Sequence, residues 1–124
     1  MISIDRWDVP EFKAGQSVAF DITWNDDAGP IDLTASWAAC TFRNDYGKPE
    51  IFTVTSTDGD IVLGSGERNI VVSIPPEKSA LLNTGTKQTR GVFDVKVVSP
   101  SGSVDFPVGD GRWYCNPTST TGTP

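Results

Sequence analysis

Apolar and polar residues alternate with a period of two wherever the pattern is clear, and Gly, Pro, Asn and Asp interrupt it about every eight to twelve positions. In "SVAFDITWN", Val18, Phe20, Ile22 and Trp24 fall on one side, and Ser17, Ala19, Asp21 and Thr23 on the other. Successive side chains of a strand point to opposite faces, so this stretch predicts a half-buried strand with one face in a core. "ISIDRWD" predicts a first strand, broken at Pro10 and followed by a turn at Ala14-Gly15. The loop "DDAGPIDLT" plants Leu33, and "SWAACTFRN" puts Ala38, Cys40 and Phe42 on one face with Trp37 out of phase. Weaker strands over 50–55 and 60–63 flank the turn "TDGD", and "RNIVVSI" alternates Ile70, Val72 and Ile74.

"PPEKSALL" is the sole helical candidate. A proline at the first helical position, an acidic residue in the first turn and Ala80, Leu81 and Leu82 predict one short helical turn near residues 76–82. It is too short to form a layer and suits a crossing between two sheets. In "GVFDVKVVSPSGSVDFPV", Phe93, Val95 and Val97 oppose outward Asp94 and Lys96, and Val104, Phe106 and Val108 repeat the apolar face after a turn. Pro100 fits a type I turn and Gly102 the left-handed position that closes a bulged hairpin. Phe93, Val95, Val97, Val104 and Phe106 are thus expected in the core, with Gly109 and Gly111 resetting the chain before the last strand, "RWYCNP". About 7–9 short strands with hardly any helix predict an all-β, two-sheet antiparallel immunoglobulin-like sandwich. Residues 1–117 would form a single domain and 118–124 a frayed or partner-docked tail.

A chain of 124 residues buries roughly two thirds of the surface its unfolded form exposes, enough to fold without staples. Ten Lys and Arg against sixteen Asp and Glu leave a net charge of −6 with no basic run, which argues against nucleic acid and anionic membrane as partners. No segment approaches the ~20 apolar residues of a membrane span, and the N-terminus lacks a signal peptide's basic flank and apolar stretch. Synthesis in a cytoplasm is the expectation. The sequence has no histidine, so the usual base for an activated nucleophile is missing. Asp94, Asp105 and Asp110 lie near one another along the final hairpin, but Asp94 and Asp105 take outward positions and read as solvated acids. "TDGD" and "NDDAG" read as Asx and Gly turns, because the calcium-loop pattern with its terminal glutamate is absent. The expectation is therefore no enzyme, no metal and no cofactor. Cys40 and Cys115 would lie two strands apart in one sheet, roughly 9 to 10 Å at the backbone, beyond disulfide reach; both are expected as buried free thiols.

Four tryptophans, Trp7, Trp24, Trp37 and Trp113, raise a carbohydrate-binding module as an alternative of another class, since exposed aromatic rings stack on sugars. Trp24 shares a face with core residues. Trp37 does not, and an out-of-phase tryptophan points to a protein neighbour. Arg112, Trp113 and Tyr114 lie on the last strand beside a Pro and Thr tail with no core to join. Trp37, Arg112, Trp113 and Tyr114 are accordingly the candidate interface residues.

The order of short motifs resembles small β-sandwich proteins and N-terminal domains of tailed bacteriophages, found in upper-baseplate and tail-fibre proteins. It runs from "AGQSVAFDITWND" through "GPIDLT" and the strand ending in Arg43, then "IPPEKSALL", "GVFDVKVVSPSG" and "GRWYCNP", spanning roughly residues 10 to 117. The resemblance implies a non-enzymatic virion structural protein that docks on other virion proteins and on copies of itself, with no catalytic residues to carry over. Where many relatives continue into a fibre or receptor-binding region, this sequence stops. That leaves an adaptor, a baseplate or tail accessory, or a head decoration protein.

Overall fold

A computed structural model describes residues 4–8 and 11–118. The break at Pro10, the side chain of Trp7 and the tail beyond Thr118 lie outside the described residues. The strands are β1 (Ile4–Asp8), β2 (Phe12–Lys13), β3 (Val18–Ile22), β4 (Asn25–Asp26), β5 (Gly29–Pro30), β6 (Trp37–Arg43), β7 (Glu50–Thr55), β8 (Ile61–Leu63), β9 (Ile70–Ile74), β10 (Thr89–Val98) and β11 (Val104–Asn116). A short helix, α1 (Pro76–Ser79), and a 3-10 turn over Ala80–Leu82 join β9 to β10.

The larger sheet runs β1-β11-β10-β6-β7, with β2 also on β11; the smaller runs β3-β9-β8, and β4-β5 is a separate hairpin. Together they make an all-β, sandwich-like fold. The expected antiparallel pairing needs one correction, because β1 and β2 run parallel to β11. The chain enters alongside its own last strand in the same direction and closes that edge, which would otherwise offer unpaired backbone groups.

The predicted inward sets pack between the sheets. Val18, Phe20, Ile22 and Trp24 are buried, as are Ile70, Val72 and Ile74 opposite them and Ala38, Cys40 and Phe42 across the core. Phe93 links the layers. Its ring centroid is 5.3 Å from that of Phe42 and 5.5 Å from that of Phe20 on the smaller sheet. The α1 connection ties both sheets together, starting with Pro76 in the first turn where a missing N–H costs nothing. Buried Ser79 accepts from the Gly15 N–H (3.1 Å) and donates to the Gln16 carbonyl (2.7 Å), while Lys78 donates to the Thr53 carbonyl on β7 (3.2 Å). Lying against β7 from α1, Lys78 guards that edge against a stray partner. Asn69, fully buried, accepts from the Trp24 N–H and donates to the Trp24 and Ile31 carbonyls, so one amide holds the loop that frames β4-β5.

The turn after β10 follows its residues: Gly102 has φ 89°, and the Ser99 N–H donates to the Ser103 carbonyl at 2.9 Å. The strand after it does not. Val98 faces Val104 and Val97 faces Asp105, but Val95 faces Val108 and Phe93 faces Gly111, so β11 takes one extra residue at each of two irregularities. Each extra residue reverses the phase of the side chains beyond it. Val104 and Phe106 therefore turn outward, 52% and 48% exposed, and the expectation that they are core fails; Val108 is buried. Asp105 likewise shares a side with inward Val97 rather than standing outward.

Gly91 and Gly111 do more than reset the chain. Gly91 lies opposite Trp113, and Gly111 opposite Phe93. A Cβ on Gly91 would come within 2.4 Å of the Trp113 ring, and one on Gly111 within 2.4 Å of the Phe93 ring. Each aromatic ring lies over the glycine across from it, filling the space the missing side chain leaves.

Cys40 and Cys115 are both free and buried. As expected, β10 separates their strands; in addition Cys40 pairs with Val95 and Cys115 with Thr89, an offset of roughly 20 Å along β10. Burial pushes both thiols up, Cys115 to about 11, so neither forms a thiolate near neutrality.

Candidate functional site

The outward side chains of β6, β10 and β11 build one continuous surface on the larger sheet. Cross-strand register sets its rows, because residues directly opposite each other share a face. Trp37, Val98 and Val104 form the row nearest the hairpin turn; Ala39 with Lys96, then Thr41 with Asp94, then Arg43 with Val92 and Arg112 follow; Arg90 beside Tyr114 ends it. Phe106 stands beside the first rows because of the slip in β11.

Three depressions run along this face. One of about 350 Å3 lies between Trp37 and Phe106, over Ala39, Thr41 and Thr53, with Arg43, Asp94 and Lys96 around it. A second, of about 320 Å3, shares Arg43 and Asp94 with the first and reaches Tyr46. The third, of about 440 Å3, shares Val92 and is lined by Asn44, Arg90, Arg112 and Tyr114.

Trp37 is fixed in place. Its indole N–H donates to Thr57 Oγ1 at 2.9 Å, and the Lys96 ammonium lies 5.6 Å from the ring centroid. Asp94 is half-buried, and desolvation holds its carboxyl above the usual range against the opposing pull of Arg43 and Lys96. No hydrogen bond or ion pair reaches its carboxylate from the described residues. At the other end, the Tyr46 hydroxyl donates to Asp110, a bond that pushes the phenol up, and the Arg112 guanidinium lies 5.6 Å from the Tyr46 ring centroid. Arg112 Nε is 3.1 Å from Asp110 Oδ1, an ion pair at close range whose alignment falls short of a hydrogen bond. Asp110 thus holds Tyr46 and Arg112 together.

Of the four candidate interface residues, the structure keeps three at the surface. Trp37, Arg112 and Tyr114 all lie on this face, partly exposed, although Trp37 stands at the opposite end from the other two. Trp113 is the correction. It is fully buried, and its indole N–H donates to the carbonyls of Arg43 (3.1 Å) and Val92 (3.2 Å), so it is a core residue and no docking group. The alternation of "RWYC" carried that signal, since Trp113 and Cys115 share one phase and Arg112 and Tyr114 the other. Arg43, Asp94 and Lys96 were legible as outward residues, but nothing in the sequence joins them to Tyr46, which comes from the turn after β6, or to Phe106.

The two acidic turns are local structures. The Asp26 carboxylate accepts from the Ala28 N–H at 2.8 Å, Gly29 has φ 116°, and Gly59 of "TDGD" has φ 84°. No protein-family model matches the chain, and no curated protein does either.

Proposed function

We propose that this chain is a non-enzymatic structural protein of a tailed-bacteriophage virion, an accessory or adaptor of the tail, baseplate or fibre working through protein–protein contacts. Head decoration is the alternative location. The order of motifs from "AGQSVAFDITWND" to "GRWYCNP" supports the family, and the all-β, sandwich-like fold agrees with the fold that the family implies. A sheet of β11-β10-β6-β7 and another of β3-β9-β8, with a helical turn between β9 and β10, are compatible with the immunoglobulin-like sandwich that the resemblance implies.

The observation that carries a docking role is the cluster of Tyr46, Arg112 and Tyr114 beside Arg90 at one end of the larger sheet's outer face. Tyr and Arg are the residue types that dominate interface energetics, because they bury large areas while keeping a polar handle. Here Asp110 holds two of them in one arrangement before any partner arrives, which lowers the ordering cost of binding. Other virion proteins and further copies of this chain are the partners. Mass spectrometry of purified particles is the test. The chain should be a stoichiometric component, and Arg112→Ala with Tyr114→Ala should cut its incorporation at least about tenfold while leaving it folded; particles free of the chain would refute the reading.

A further inference from the structure

The other end of the same face has a different chemistry. Asp94 offers two acceptor oxygens in a half-buried position, and no described residue pairs with them. Arg43 and Lys96 flank it from either side; Arg43 Nε donates to the Lys48 carbonyl (3.1 Å), and neither cation forms an ion pair with a described carboxylate. Above them stand two aromatic walls. Trp37 is locked by Thr57, and Phe106 is turned outward by two irregularities in β11, which place a large apolar side chain where simple alternation would have buried it. Bulges that re-aim a side chain are common beside binding sites. The space between the walls, about 350 Å3, falls in the roughly 300–1,000 Å3 range of small-ligand sites.

The charges restrict the occupant. A basic side chain that reached Asp94 would also face two cations, Arg43 and Lys96, which oppose it; an acidic one would be drawn to the cations but would bring no donor to Asp94, leaving that half-buried carboxylate without a partner. A neutral ring carrying several hydroxyls meets no such conflict, because each hydroxyl can donate to the carboxylate or accept from a cation. If the ring also has a face made of C–H groups, that face can lie against an indole or a phenyl. These requirements describe a pyranose. We infer that the trough between Trp37 and Phe106 binds a neutral saccharide, with Asp94 accepting from adjacent ring hydroxyls, Arg43 and Lys96 donating to others, and the sugar's C–H face taking the place on the Trp37 ring that the Lys96 ammonium holds in the free protein, 5.6 Å from the centroid.

The trough shares Arg43 and Asp94 with the depression that reaches Tyr46, but Arg112 and Tyr114 do not line it, and it does not rest on the virion reading: a chain absent from particles that still binds sugar loses only the latter. The experiment is a titration of the full chain with neutral probes (glucose, galactose, mannose, N-acetylglucosamine and their short oligomers) followed by amide and indole N–H NMR shifts. The Trp37 indole and the backbone amides of Thr41, Asp94, Lys96 and Phe106 should move saturably, while the Trp24 and Trp113 indoles stay in place. Trp37→Ala and Asp94→Asn should each weaken binding at least about tenfold, and Arg112→Ala should not change it. An absence of saturable shifts up to about 10 mM, ten times a Kd of 1 mM, overturns the assignment. So does binding that survives both trough substitutions, or a lysine-rich or glutamate-rich peptide that shifts the trough resonances where no saccharide does.

Discussion

The two faces of the larger sheet each carry a tryptophan, yet one ring is sealed in the core and the other stands half in solvent. Trp113 lies opposite Gly91, and Trp37 opposite Val98. A glycine across the ladder leaves a slot that a ring can enter, and the one hydrogen of the Trp113 indole N–H is shared there between two backbone carbonyls. Trp37 has the outward phase of β6, so its ring stays on the outer face and finds a threonine instead. Phase decides which face an aromatic takes, and the residue opposite decides how closely its ring can lie against the sheet.

Removing the sealed ring tests that contrast most strongly. Trp113→Ala deletes the largest fully buried side chain and leaves a cavity over Gly91, so urea unfolding should show a loss of about 4 kcal/mol. A loss below about 1 kcal/mol would mean the ring is not core. Filling the slot from the other side comes next. In Gly91→Ala the new Cβ meets the Arg43 carbonyl oxygen at 2.3 Å and the indole at 2.4 Å, and the first contact is backbone that cannot swing away; the expected cost is about 3 kcal/mol. Because both changes act on one slot, the double variant should lose less than the sum of the two.

The inner face was largely legible in the sequence, for a physical reason. Period-two alternation reports burial directly, so Val18, Phe20, Ile22, Trp24, Ile70, Val72, Ile74, Ala38, Cys40 and Phe42 were placed from their spacing alone, as were the turn at Gly102 and the helical crossing near Pro76. The outer face was legible only in pieces. Its assembly depends on register across three strands, and register in β11 shifts at two irregularities that the apolar–polar pattern does not announce, since "VDFPV" alternates as cleanly as any core strand. Pro107 was the available hint, being a residue that a regular central ladder tolerates poorly. The parallel placement of β1 and β2 was likewise invisible, because alternation does not carry direction.

Asp94 is the smaller test, and its sign matters more than its size. Burial raises its folded pKa above the ordinary carboxylate value near 3.9 of an unfolded chain. Between the two values the native state holds a proton that the unfolded state has released, so stability falls as pH rises through that window and stays lower above it. Asp94→Asn removes the desolvated charge. It should melt above the wild type at pH 7, and the gap should close as pH drops toward the unfolded value. A variant less stable at pH 7 would show that Arg43 and Lys96 outweigh desolvation. A gain at the expense of saccharide affinity would mark Asp94 as a group kept for binding.

The least costly change should be on the half of β11 that alternation misplaces. Phe106→Thr keeps a strand-favouring residue on an outward position that is already about half exposed, so little apolar surface returns to water and no cavity forms. Unfolding free energy should move by no more than about 0.5 kcal/mol, as for ordinary surface substitutions. Phe93→Thr, one strand over and inward, should instead unfold the protein far more easily, because its ring joins the two sheets and covers Gly111. The pair separates two explanations of the outward phenylalanine. If Phe106→Thr costs as much as a core truncation, the slip in β11 is absent in solution and its first half belongs to the core after all. If it costs nothing in stability but weakens saccharide binding, the irregularities in β11 exist to put that ring where a ligand can use it.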